Sequence, residues 1–194
     1  TVKTEYSFQP AAGDEEIARY LASSTLANTR DPQIARFTEA TVPAAVSAAS
    51  DRAEFLRRGV NRVLAKKDLS TGFASASQAL RAGSGDCTEH AVLLAACLRA
   101  AAIPSRVAIG LMYVERFEGK RDVFVFHMWT QALVDTPQGQ TWLNLDATRG
   151  HARAFDATYI AMATDPLSGS GPPPAVSAAL GVIGRLTIEV ERIE

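Results

Sequence analysis

The sequence predicts an α+β domain: N-terminal helices, a central buried helix that carries a cysteine, and an antiparallel β-sheet on which that helix packs. Three observations predict it. Residues 14–81 hold apolar side chains at helical spacing between charged ones. Residues 86–102 are apolar on nearly all sides, the pattern of a helix buried all round. After Ile103-Pro104 the period switches to two, the period of strands. Helices first and strands afterwards is the order of an α+β fold.

Along the chain, residues 2–8 alternate and read as a short strand. Residues 14–28 read as a helix with Ile17, Leu21 and Ala18 inward. Asp31-Pro32 opens the next helix, because Asp suits the N-cap and Pro the first helical position. Ser50 and Asp51 precede an amphipathic helix in which Phe55, Leu56, Val60, Val63 and Leu64 recur at helical spacing. Residues 75–81 form a short helix before a glycine-rich turn. The central helix runs over 86–102. Strands are predicted over 106–114, 123–134 and 140–145, with Thr136-Pro137-Gln138-Gly139 as the hairpin turn between the last two. Residues 115–122 and 149–175 read as loops, and 186–193 as a final strand. One domain is expected over 1–194. Residues 1–50 would be a helical N-terminal extension, 70–150 would hold the motifs, and 175–194 would supply the C-terminal strand.

The 194 residues carry a net charge of −1 and a pI near 6.3. That balance offers no basic surface for nucleic acid. No apolar run reaches the length of a membrane span. The chain begins at Thr1 rather than Met, so a leader is left undecided. Its two cysteines, Cys87 and Cys97, would lie about 15 Å apart along one helix. A disulfide needs Cα atoms within roughly 7 Å, so no bridge is expected. Two free thiols fit a cytoplasmic and an exported, periplasmic protein equally well.

Cys87 follows Gly83-Ser84-Gly85-Asp86 and opens the central helix. The free N–H groups and dipole of a helix start stabilise a thiolate. Asp86 and Glu89 oppose this as nearby negative charges. Their spacing is that of a capping box, which would turn both carboxylates toward backbone N–H donors. On the hairpin, Val125, His127, Trp129, Gln131 and Leu133 share one face of their strand, and Trp142, Asn144 and Asp146 share one face of the next. Pairing Asp135 with Gln140 puts His127 opposite Thr148 and diagonal to Asp146, within side-chain reach. A one-residue slip would separate them.

A cysteine at a helix start with a His–Asp pair is the layout of thiol acyl transfer. Cys87 would attack an amide or ester carbonyl, His127 would shuttle the proton, and Asp146 would orient the imidazole. The Cys87 N–H is the expected oxyanion donor, with the Gln78 side chain as a second. His90, one turn beyond Cys87, reads as structural or supporting. Glu89 reads as a cap. Trp129 and Trp142 would wall the cleft or belong to the core. Arg149 lies within reach of the cleft, as do Tyr113, Glu115, Arg116 and His151. Cys97, mid-helix among alanines and leucines, reads as inert core. A zinc site built from Cys87, His90, His127 and Asp146 is the weaker alternative, since Cys-x-x-His without a second tight pair is a poor metal signature. No metal or other cofactor is expected.

Gly85-Asp86-Cys87-Thr88-Glu89, Leu98-Arg99-Ala100, Ile103-Pro104-Ser105-Arg106, His127-Met128-Trp129 and Trp142-Leu143-Asn144-Leu145-Asp146-Ala147-Thr148 together resemble the transglutaminase-like core. The resemblance covers about 70–150. It implies a papain-like cysteine-proteinase fold with Cys87, His127 and Asp146 as nucleophile, base and orienting carboxylate, and a structural role for Arg106. The chain departs from the family at Ala147, where Pro is frequent, and at Ala102, where Gly is frequent. It lacks the calcium loops and extra β domains of animal crosslinking members and is more similar to bacterial members, many of them exported. The expectation is a cysteine-dependent enzyme acting on peptide or side-chain amides through a thioester, with hydrolysis favoured over transamidation and a protein or peptide as substrate. The alternative is a catalytically idle binding or scaffolding module of the same fold.

Overall fold

The computed structural model describes residues 13–66, 73–150, 155–156, 158–181, 185–186 and 188. Helices α1 (Asp14–Leu21), α2 (Pro32–Thr41), α3 (Ala49–Val63), α4 (Ala76–Ala82) and α5 (Cys87–Ala100) come first. Strands β1 (Ser105–Phe117), β2 (Lys120–Thr136), β3 (Gly139–Leu145) and β4 (Tyr159–Asp165) follow, and then α6 (Pro174–Leu180). The strands form an antiparallel sheet in the order β3-β2-β1-β4. This is the predicted α+β architecture. No helix among the described residues is long and apolar enough to cross a membrane.

α5 is the centre of the molecule. Every residue from Thr88 to Arg99 is buried. Its sheet side is tied down by Thr130, whose hydroxyl donates to the Ala91 carbonyl, and Ser105, whose hydroxyl donates to the Ala95 carbonyl, both at 3.0 Å. α2, α3 and α4 pack around the remainder. Leu93, Leu94 and Leu98 are fully enclosed, and each contributes about 1.5–3 kcal/mol by leaving water. Arg99 is buried too. It is spent on carbonyls at the edge of the core, donating to Ala22 at 2.8 Å, Ser105 at 2.9 Å and Pro166 at 2.5 Å. That anchors the chain after β4 to the end of the helix. α5 ends at Ala100, two residues before the predicted stop. Ala102 adopts a left-handed φ of 58°, a conformation that costs a non-glycine residue.

Other elements follow the local signals. Asp31 caps α2 by accepting from the Gln33 amide at 2.8 Å, with Pro32 at the first position. Ser75 and Gln78 form a capping box on α4, and Gly83 closes it at φ 63°. α1 stops at Leu21 rather than 28. There Ser23 and Ser24 accept from the amides of Thr29 and Ala27, and this turn displaces the helix. Its inward residue is Tyr20; Ile17 and Leu21 are half-buried and Ala18 is exposed. On α3, Leu56 and Val60 are buried as expected, but Phe55 and Val63 are half-buried, and Arg57 and Gly59 take inward positions.

Three segments differ from the prediction. Residues 115–122 are the end of a long hairpin, with β1 and β2 paired out to Phe117 and Lys120 around left-handed Glu118 and Gly119. Charges on both sides of this ribbon mask its period. The region read as loop over 149–175 contains β4, an edge strand with mostly exposed side chains, so alternation is absent there as well. β4 approaches β1 so closely at a bulge that a Cβ on Gly110 would lie 2.0 Å from the Ile160 carbonyl oxygen. Only glycine fits. Residues 175–180 are helix α6, not strand, with Val176 and Ala179 in the core. The strands expected at 2–8 and, apart from Leu186 and Ile188, at 186–193 lie outside the described residues.

Candidate active site

The turn before α5 is built by backbone closure. Gly85 donates its N–H to the Lys66 carbonyl at 3.1 Å. Asp86 caps the helix, accepting from the Thr88 amide and hydroxyl, both at 2.7 Å. Glu89, 1% exposed, reaches back to the Asp86 amide at 3.0 Å and outward to the Ala74 amide at 2.9 Å. The capping box is therefore formed, and it fixes Cys87 at the first helical position, where a backbone N–H has no intrahelical acceptor.

The electrostatics of the thiol differ from the expectation of a helix-start thiolate. Burial, and next the Asp86 charge, push Cys87 up to about 12; Asp146 and Glu89 add to the rise, and only a hydrogen bond from the Met128 amide opposes it. Capping uses lone pairs of Asp86 and Glu89 but leaves both side chains beside the thiol. At neutral pH the thiol holds its proton. Cys97 is wholly buried and is also pushed up to about 12, chiefly by burial.

Strand pairing sets the other half of the site. The β2–β3 register is the predicted one, with Asp135 opposite Gln140, and it ends at Thr130 opposite Leu145. Beyond that point this edge of β2 is open, and the Met128 amide turns to the Cys87 thiol. One residue earlier, His127 projects from the opposite face to Met128. Its Nε2 lies 2.9 Å from Asp146 Oδ2. A carboxylate only accepts, so Nε2 is the donor of this bond. Both side chains are buried.

Asp146 is held by every lone-pair direction. Oδ1 accepts from the Thr148 amide at 2.8 Å and hydroxyl at 2.7 Å. Oδ2 accepts from His127 and from the Tyr159 hydroxyl at 2.6 Å. Burial works against ionisation, but His127, then Tyr159 and Thr148, outweigh it and hold this carboxyl well below the usual range. The turn is clamped from α3. Arg57 donates to the Arg149 carbonyl at 2.7 Å and the Asp146 carbonyl at 3.3 Å, and Asn61 donates to the Ala147 carbonyl at 2.8 Å. Sequence reasoning missed Tyr159 and Arg57. Arg57 was signalled by a charge on the inward face of an amphipathic helix; Tyr159 had no local signal.

The remaining candidates separate. Gln78 is exposed, and its amide oxygen caps α4 by accepting from the Ser75 amide at 2.9 Å. His90 Nδ1 lies 2.6 Å from the Asp86 carbonyl, so it braces the capped turn. Trp129 stacks along His127 with centroids 6.3 Å apart and donates to Asn144 at 2.9 Å. Trp142 lies away from the site, edge-on to Tyr20 and beneath the Arg106 guanidinium. Arg149 donates to the Tyr159 oxygen at 3.2 Å. Tyr113 bonds Asp122 on the long hairpin, and Glu115 and Arg116 lie on the same ribbon. His151 is outside the described residues. As for the zinc alternative, no group of three or more His, Cys, Asp or Glu among the described residues is arranged to hold a metal ion. Asp146 has both oxygens committed to N–H and O–H donors.

A family model described as the transglutaminase-like superfamily matches residues 32–147. None of the curated proteins matches the chain. Among solved structures, a candidate cysteine protease of Cytophaga hutchinsonii is similar with a TM-score of 0.64 and 18% identity, over 86% of this chain and 50% of that one. The periplasmic domain of TgpA from Pseudomonas aeruginosa gives a TM-score of 0.46 and 21% identity over 74% and 51%. Red sea bream transglutaminase gives 0.39 and 16% over 70% and 28%. The chain spans about half the length, or less, of these solved relatives, and the likeness to the Cytophaga protein is one of fold.

Proposed function

This chain belongs to the transglutaminase-like superfamily, and we propose that it is a cysteine-dependent acyl-transfer enzyme in which Cys87 is the nucleophile, His127 the base and Asp146 the orienting carboxylate. The observation that carries the reading is the buried 2.9 Å contact between His127 Nε2 and Asp146 Oδ2, beside a thiol bonded by the neighbouring Met128 amide. Asp146 fixes the tautomer, so Nδ1 is the atom that takes the thiol proton.

Because Cys87 is held as a thiol, attack is coupled to proton transfer instead of drawing on a standing thiolate. Cys87 Sγ bonds to the carbonyl carbon of an amide as its proton passes to His127 Nδ1. The carbonyl oxygen takes up negative charge, for which the Cys87 backbone N–H is the donor. His127 returns the proton to the leaving amine as the C–N bond breaks, and Asp146 supports the imidazolium between the two transfers. The thioester is then cleaved by water, or by an amine that attacks the same carbon. Hydrolysis of peptide or side-chain amides is the favoured outcome, since no feature among the described residues marks an amine pocket.

Incubation with a library of activated peptide amides, followed by intact-mass analysis, tests the reading. An acyl adduct mapped to Cys87, absent in Cys87→Ser and released by water, is the expected result. Amides cleaved at an undiminished rate by Cys87→Ser would exclude it.

A further inference from the structure

We propose that Tyr159 is a positioning residue of this site, which sets the strength of the His127–Asp146 pair by sharing its acceptor oxygen. The proposal rests on the triad reading above. Tyr159 lies on β4, beyond the residues that the family model matches. Its hydroxyl donates to Asp146 Oδ2, the atom that accepts from His127 Nε2. Thr148 already occupies Oδ1 with two donors. The charge that Asp146 offers the imidazole is therefore divided between two donors on one oxygen, and a divided acceptor is a weaker partner for each.

The phenol is placed for this and held there. Its ring stacks on Phe155 with centroids 4.0 Å apart, meets Trp129 edge-on at 5.4 Å and tilts against His127 at 5.8 Å. Arg149 Nε donates to the phenol oxygen at 3.2 Å, which polarises the O–H toward Asp146. Burial, then the Asp146 charge, raise the phenol above its ordinary range, so it stays a donor wherever thiol chemistry runs.

The other charges around the pair come from every neighbouring element: Arg57 with Glu54 from α3, Asp86 and Glu89 at the start of α5 beside the uncharged Cys87 thiol, Arg149 after β3, and Asp156 before β4. All remain when the Tyr159 hydroxyl alone is removed. Tyr159→Phe therefore isolates the sharing.

The Nε2-bound proton of His127, assigned by its loss in His127→Ala, is read in the low-field proton NMR spectrum. In Tyr159→Phe it is expected to move to lower field, because Oδ2 then serves one donor. Fluorotyrosine placed at position 159 keeps the ring and hydroxyl, so it folds, and its more acidic phenol is expected to move the resonance to higher field. A resonance unchanged in the fluorotyrosine protein overturns the proposal, whether or not Tyr159→Phe folds. Alkylation of Cys87 in His127→Ala separates the two readings. If His127 has no effect on Cys87, the triad reading fails; if it has, and the Tyr159 variants leave the resonance in place, only the Tyr159 role fails.

Discussion

A Cβ on Gly85 would lie 2.4 Å from the Cβ of Glu89. The turn that presents Cys87 thus closes over the third residue of its own helix with no room for a side chain between them. Gly85→Ala must displace Glu89 and with it the capping bonds to Asp86 and Ala74. Overpacking of this kind costs about 1–3 kcal/mol. A lowered urea midpoint at unchanged slope, together with slower alkylation of Cys87, is the expected outcome.

Arg57 and Arg58 make a paired test of the Asp146 clamp. Both bond Glu54, but only Arg57 reaches the carbonyls of Asp146 and Arg149, and its side chain is 8% exposed against 43% for Arg58. Arg57→Met takes the guanidinium donor from the Arg149 carbonyl and leaves the Asp146 carbonyl with the Arg149 amide alone, and should cost about 2–3 kcal/mol. Arg58→Met removes a surface pair worth about 0.5 kcal/mol. Equal effects of the two on the thermal midpoint would contradict the clamp.

The two ends of the pH scale carry opposite signs. Asp146 is held below its unfolded value, so its contribution to stability is fully present above about pH 4 and is lost as pH falls toward the lowered folded value. The destabilisation caused by Asp146→Asn should accordingly be large at pH 6 and shrink between about pH 4 and pH 2. Cys87 is raised to about 12. Its contribution is present below about pH 8.5 and is lost as pH rises toward that value. Cys87→Ala should flatten the fall in stability above about pH 9, as read from unfolding midpoints.

Arg106 follows Ile103-Pro104-Ser105 in the sequence and serves the far end of the sheet face that carries His127. Its Nε donates to Gln131 at 2.8 Å, and its guanidinium lies 3.9 Å from the centroid of the Trp142 ring. A lysine supplies neither the planar stack nor the Nε donor. Arg106→Lys is expected to cost about 1–2 kcal/mol in urea unfolding and to leave Cys87 alkylation unchanged.

What could be read from the chain beforehand was what short-range rules determine. Asp86 and Glu89 are three residues apart, and the capping box follows from that spacing. Thr136-Pro137-Gln138-Gly139 sets the hairpin register, and the register decides that His127 and Asp146 share a side. Tyr159 was not legible, because it reaches Asp146 only through the pairing of β4 with β1, a long-range event in a segment without alternation. The raised thiol was not legible either, since burial outweighs the helix-start effect and burial is a property of the packed whole. Ser23 and Ser24 show the same limit locally: their turn overrides a helical pattern that otherwise continues.

The central claim is that His127 activates Cys87. The rate of carbamidomethylation of Cys87 by iodoacetamide at pH 7, followed by mass spectrometry in wild type and His127→Ala, tests it most directly. The expected result is modification of Cys87 with Cys97 untouched, and a loss of at least about tenfold in the variant, equivalent to about 1.4 kcal/mol of lost activation. Equal rates in the two proteins, or a Cys87 that stays unmodified in both while the folded chain is open to reagent, would contradict it.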